Sequence, residues 1–293
     1  MTETASLPAS FLEGVAEYDR RTSVGDWAGP HYRMTYRTLG EGPPLVVVPG
    51  LASTYRGYAP MLNRLASRFR TVVIDYPGEN PDDGARLGSI GHDDLVDDLA
   101  GLCDHLGLDR PILFGLSFGS TITLRSLLRH PGRYAPVAVL QGGFARRGLA
   151  PHERAALALG RRIRGPSSRL PFHERALAHR SRSEFAGMDD RWRFYVEQNG
   201  LTPIAALSAR LDLIHRLDLR TSLPQVRAAV LLIRGTGDRI VPERCQADLR
   251  AGLPNAEERI MVGAGHQPHF THPEELADLV SDFVERAGSV PGG

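Results

Sequence analysis

Lysine is missing from this chain altogether; each of its 35 basic residues is arginine. Schiff-base catalysis, pyridoxal phosphate attachment and a phosphate-binding P-loop each require a lysine amine, so all three are excluded. Cysteine is almost as scarce. Cys103 and Cys245 stand far apart and in no motif, which leaves no basis for a disulfide framework or a thiolate zinc site. Charge of one sign is lacking too: the formal net charge is +1, whereas a nucleic-acid binder carries a strong basic excess. No apolar run approaches the ~18 residues needed to span a membrane. Met1 to Ser10 holds neither a basic nor an apolar signal-peptide region, so a cytoplasmic protein is expected.

What is present is 293 residues, 42% hydrophobic and 24% charged, the composition of a globular protein with a substantial core. The first ~30 residues show no clear pattern. Tyr32 to Thr38 then alternates like an antiparallel strand, and Leu45-Val46-Val47-Val48 is the continuous run of a strand buried on both faces. Similar short runs recur at Thr71 to Ile74, Pro111 to Phe114, Pro136 to Leu140, Ala229 to Ile233 and Glu258 to Val262. Helical spacing fills the intervals, as in Asp93 to His105, whose acidic face reads as a solvated surface. This alternation predicts an α/β fold, a mostly parallel sheet flanked by helices.

The rhythm stops at Gln141-Gly142-Gly143 and resumes near residue 221. Between them, residues 145–220 show helical patterns and no strand. Charge divides at the same boundaries. The segment 145–220 holds 15 Arg against 8 Asp and Glu, while 1–144 holds 13 against 16 and 221–293 holds 7 against 10. The expected organisation is a core in two parts, 1–144 and 221–293, with a basic helical cap inserted at 145–220.

One stretch carries chemistry. Gly115-Leu116-Ser117-Phe118-Gly119 lies between a strand ending at Phe114 and a helix running to about Arg129. A serine on such a strand-turn-helix apex has its hydroxyl pushed out of the sheet. Its hydroxyl remains a weak nucleophile until a base takes the proton and an acid orients that base. Asp238, in Gly235-Thr236-Gly237-Asp238-Arg239-Ile240-Val241-Pro242, follows one strand; His266, in Gly263-Ala264-Gly265-His266, follows the next. Loops at strand C-termini are where open α/β sheets build their sites. Asp212 and Asp218 compete for the acid's role but lie in the insert. His266, His269 and His272 are spaced like a metal cluster, yet Pro268 and Pro273 break the geometry and no carboxylate or cysteine completes the set. No metal site is expected there.

With these motifs, and with Gly265-His266-Gln267-Pro268-His269-Phe270-Thr271-His272-Pro273-Glu274, the chain from about residue 31 to 287 resembles the α/β-hydrolase superfamily. The resemblance is to its serine-nucleophile branch, esterase- or lipase-like with a helical cap. It implies an α/β-hydrolase fold, with Ser117 as nucleophile, His266 as general base and then acid, and Asp238 as the orienting carboxylate. The oxyanion hole would be the backbone N–H groups of Leu51 and Phe118. No cofactor is implied.

Three departures blur the subfamily: Pro49-Gly50 replaces the usual His-Gly, Leu116 stands where a histidine is common, and Asp75-Tyr76-Pro77-Gly78-Glu79-Asn80 alters the usual D-x-x-G-x-G-x-S loop. Serine rather than aspartate as nucleophile sets aside epoxide hydrolase and haloalkane dehalogenase chemistry. The implied reaction is hydrolysis of a carboxylic ester or related acyl bond. C–C bond hydrolysis, lactone or thioester cleavage, acyl transfer, and non-catalytic ligand binding on the same fold stand as alternatives. The basic insert reads either as a solvated surface or as a recruiter of an anionic or carrier-bound acyl substrate. Its cluster Trp192-Arg193-Phe194-Tyr195 either lines the acyl pocket or anchors the cap.

Overall fold

The computed structural model of the protein describes residues 10–288. Eight strands form one sheet: β1 (Ser23–Ala28), β2 (Arg33–Leu39), β3 (Pro44–Val48), β4 (Arg70–Ile74), β5 (Ile112–Leu116), β6 (Val137–Gln141), β7 (Ala229–Gly235) and β8 (Ala256–Met261). Their order is β1-β2-β4-β3-β5-β6-β7-β8. β1 and β2 are antiparallel to their neighbours, and the pairs from β4 onward are parallel. The expected α/β class is present.

The valine-rich strands are buried on both faces because side chains alternate with a period of two. Val47, Val73, Phe114, Val139 and Leu231 pack with Met61, Leu62, Leu276 and Val280. Their neighbours Val46, Val48, Val72 and Leu113 pack instead with Leu95, Leu99 and Leu102. The covering helices are α1 (Phe11–Arg21), α2 (Ala59–Leu65), α3 (His92–His105) and α4 (Phe118–Arg129). Four more, α5 (Pro151–Gly160), α6 (His173–Ser181), α7 (Asp189–Leu201) and α8 (Ile204–Arg216), lie between β6 and β7 with no strand among the described residues of that interval. After β7 come α9 (Glu243–Gly252), α10 (Pro268–Thr271) and α11 (Pro273–Gly288).

Two features differ from the sequence reading. The patternless N-terminal stretch contains α1, opened by a reciprocal pair in which Ser10 Oγ accepts from Glu13 N–H and Glu13 accepts from Ser10 N–H. The acidic face of α3 is paired as well as solvated: Asp93 and Asp97 meet Arg125 and Arg129 of α4, and Asp104 meets Arg133 in the turn after α4. Asp98 points inward, with no exposed side-chain area, and meets His31 at 3.0 Å.

Neighbouring strands in the parallel part finish side by side. The loops after β3, β5, β6, β7 and β8 therefore share one edge of the sheet, and each brings a residue to one site.

Candidate active site

Ser117 sits between β5 and α4 with φ 50° and ψ −113°, a conformation that costs a non-glycine residue ~1–3 kcal/mol. The flanking glycines make this turn possible. A Cβ on Gly119 would lie 2.0 Å from Val48 O, and one on Gly115 would lie 2.6 Å from Gly119 O. The backbone is fixed from β6, where Gln141 O accepts from Ser117 N–H at 2.8 Å.

His266 and Asp238 converge on the serine. Ser117 Oγ is 2.9 Å from His266 Nε2, and His266 Nδ1 is 2.7 Å from Asp238 Oδ2. A carboxylate only accepts, so Nδ1 carries the hydrogen and Nε2 is left to accept from the serine hydroxyl. The other carboxylate oxygen accepts from Ile240 N–H at 2.8 Å and Val241 N–H at 2.9 Å. Both side chains are almost fully buried, at 5% and 6% exposure. Burial lowers the imidazole's pKa, but the Asp238 charge and hydrogen bond outweigh it and hold His266 above its ordinary value. Burial raises Asp238, and His266 with the two amides returns it to below its ordinary value.

The rivals for the acid's role lie elsewhere. Asp212 pairs with Arg161 and Arg216, and Asp218 with Arg220. His269 stacks on Tyr58 at 4.6 Å between ring centres, and burial lowers its pKa to about 3. His272 Nδ1 is 2.8 Å from Thr271 Oγ1.

Phe118 follows Ser117 in the chain, and Leu51 lines the same cavity as Ser117. A Cβ on Gly50 would be 3.7 Å from Ser117 Cβ, which brings the loop after β3 against the turn that holds Ser117. Phe118 opens α4, so its N–H has no carbonyl one turn back. Neither amide donates to an acceptor among the described residues.

Several residues at the site had escaped the sequence reading. Gly142, with φ 57°, backs the imidazole: a Cβ there would meet His266 Cε1 at 2.8 Å. Gln141 Nε2 donates to His266 O at 3.3 Å. Glu184, from a short 3₁₀ turn between α6 and α7, is 7% exposed, and its Oε2 accepts from Gln267 N–H at 2.8 Å. Burial raises its pKa, and its charge adds to the field that favours protonated His266. Only the run of glycines around 142 gave a local hint.

A cavity of about 310 Å³ opens over Ser117 and His266. Leu177, Leu207, Leu211, Ile214 and Arg180 line it from the helices between β6 and β7, and Arg147 lines it from the loop after β6. The two guanidiniums share one carboxylate, Glu153, at 2.7 and 3.8 Å. The aromatic cluster divides its work. Phe194 packs against Phe11 and Phe270, and Trp192 against Phe185, while Tyr195 both stacks on Phe185 and lines the cavity.

Residues 45–279 match the family model described as "Alpha/beta hydrolase family". Three curated relatives are similar along nearly their whole length. A Pantoea ananatis protein named for carbamate hydrolysis is 26% identical, over 89% of this chain and 96% of its own. The magnesium-chelatase 30 kDa subunit of Rhodobacter capsulatus is 26% identical, over 96% of this chain and 98% of its own. A pimeloyl-[acyl-carrier protein] methyl ester esterase of Xanthomonas oryzae pv. oryzae is 28% identical, over 86% of this chain and 98% of its own. Among solved structures, a thermophilic esterase from Thermogutta terrifontis superposes with a TM-score of 0.79 at 23% identity, covering 90% of this chain and 99% of that one, a likeness of fold. A model match of that extent, on a sheet of this topology, makes the chain a member of the alpha/beta hydrolase family.

Proposed function

We propose that this protein is a serine hydrolase that cleaves a carboxylic ester or related acyl bond, with residues 145–220 acting as a cap over the catalytic core. The observation that carries the reading is the unbroken hydrogen-bonded chain from Ser117 Oγ through His266 to Asp238 at the floor of an apolar cavity. In this mechanism Ser117 Oγ attacks the acyl carbon while His266 Nε2 takes its proton. The carbonyl oxygen becomes an oxyanion that accepts from the Leu51 and Phe118 amides, donors worth ~3 kcal/mol each. Asp238 stabilises the imidazolium. His266 then gives its proton to the leaving alkoxide, releasing an alcohol and leaving the acyl group on Ser117. Water enters, loses a proton to His266, attacks the acyl carbon, and the acid departs as Ser117 regains its hydrogen. No step needs a metal or cofactor.

The Xanthomonas relative, named for a methyl ester on an acyl carrier, supports the ester reading. The surplus of arginine at the cavity suits an acyl substrate that is itself anionic or carrier-bound. The test is a fluorophosphonate probe followed by intact-mass measurement, alongside turnover of p-nitrophenyl esters of graded acyl length. One adduct on the wild type, absent from Ser117→Ala together with turnover, is expected. An unlabelled wild type with no turnover would leave a non-catalytic binding protein.

A further inference from the structure

The loop that carries Leu51 is tied down from both the sheet side and the insert. Its first peptide is fixed at each end: Tyr76 Oη donates to Pro49 O at 2.9 Å, and Gly50 N–H donates to Tyr58 Oη at 2.8 Å. The peptide after Leu51 is fixed at its carbonyl, where Arg210 of α8 donates to Leu51 O at 2.7 Å. Between these two planes lies the peptide whose N–H belongs to Leu51, with no acceptor among the described residues. The anchored planes on either side restrict its rotation. Asn199 of α7 adds a bond to Ala52 O at 3.0 Å.

Arg210 is an unusual side chain to find here, at 3% exposure. Its guanidinium also reaches Glu79 at 2.5 Å and Pro77 O at 3.4 Å, and lies 4.9 Å from the centre of the Tyr76 ring. A buried ion pair adds little net stability over an apolar replacement of the same shape, so its presence suggests geometry as its use. The fork joins three segments distant in sequence: the loop after β3, the turn after β4, and the insert.

We propose that Arg210 is a positioning residue for the Leu51 amide, so that the insert sets transition-state stabilisation as well as the walls of the cavity. The proposal rests on the serine-hydrolase reading. A donor displaced by a fraction of an ångström still admits substrate but no longer meets the oxygen when it becomes anionic. The loss therefore falls on kcat rather than on KM.

The experiment measures ester turnover by the full chain in two variants. Arg210→Gln combined with Glu79→Gln avoids leaving a buried carboxylate unpaired; Arg210→Lys keeps the charge and loses the fork. The double variant should lose ~10- to 100-fold in kcat, with KM little changed and the lysine variant intermediate. The pH midpoint of kcat/KM should stay in place, because Asp238 and His266 are untouched. Affinity for a trifluoromethyl ketone, which binds serine as an oxyanion, should fall in step with kcat. An unchanged kcat, a loss confined to KM, or a fall in kcat with ketone affinity unmoved would each overturn the proposal. If the double variant fails to fold, Arg210→Lys decides alone. Should Ser117→Ala retain hydrolysis, the underlying reading fails; should it abolish hydrolysis while the Arg210 variants keep wild-type kcat, only the positioning role fails.

Discussion

The sheet's strand-end loops and the helices between β6 and β7 build one site by different means. The loops hold Ser117, Asp238 and His266 on short, stiff turns whose geometry is set by backbone: a positive φ, two amides on a carboxylate, glycines that admit neighbouring chain. The helices approach through long side chains. Arg210, Asn199 and Glu184 reach across to grip backbone atoms of the loops, and leucines close the cavity. The comparison teaches that rigid backbone suits the placement of Ser117, Asp238 and His266, whereas pocket shape and fine alignment can be delegated to side chains reaching in from the helices.

This division can be broken or sharpened by experiment. The largest effect is expected in the loops: Asp238→Asn should lower kcat by ~10³- to 10⁴-fold with little change in KM, because the imidazole loses its orienting partner. Steady-state kinetics reads this directly, and a defect expressed mainly in KM would merge the two regions' roles. Next comes the insert. Leu211→Trp, which fills the cavity, should cost long-chain esters ~10- to 100-fold in kcat/KM relative to an acetyl ester. Equal losses on both substrates would remove the cavity as the acyl site.

A smaller, diagnostic effect is the pH profile. In the proposed mechanism His266 must be neutral to accept the proton, and its pKa is held above the ordinary 6.5, so kcat/KM should fall on the acid side with a midpoint above that value. Residual activity of Asp238→Asn should show a lower midpoint, and Leu211→Trp an unchanged one. The smallest effect concerns charge. Preference for an anionic over a neutral ester should decline severalfold as salt rises, given two arginines at the cavity and one carboxylate between them. A salt-independent ratio would reduce those arginines to structural ion pairing.

The same division explains what could be read in advance. Ser117, Asp238 and His266 were legible because each stands on a local signature, a turn directly after a buried strand, and the strands themselves announce a parallel sheet. Helix α1 carries local signals as well: Ser10 and Glu13 are spaced as a reciprocal cap, and Phe11, Val15 and Tyr18 recur at helical spacing, in a stretch otherwise broken by polar residues. Arg210, Glu184 and Gly142 had no such signature. An arginine among 35, or an acid in an arginine-rich stretch, acquires meaning only when folding brings a distant carbonyl or amide to its tip. Likewise the acidic face of α3 reads as solvated until α4 and the turn after it supply their arginines.

The strained backbone of Ser117 has a consequence for thermal stability. At φ 50° the Ser117 Cβ works against the fold. Ser117→Gly would relieve ~1–3 kcal/mol of strain and give back ~0.5–1 kcal/mol through the greater freedom of glycine in the unfolded chain. The glycine variant should therefore melt at a higher temperature than the wild type while turning over no substrate, and Ser117→Ala, which keeps the Cβ, should not share that gain. On the proposed mechanism, the strain at Ser117 is resistance to heat given up to hold one hydroxyl over the cavity.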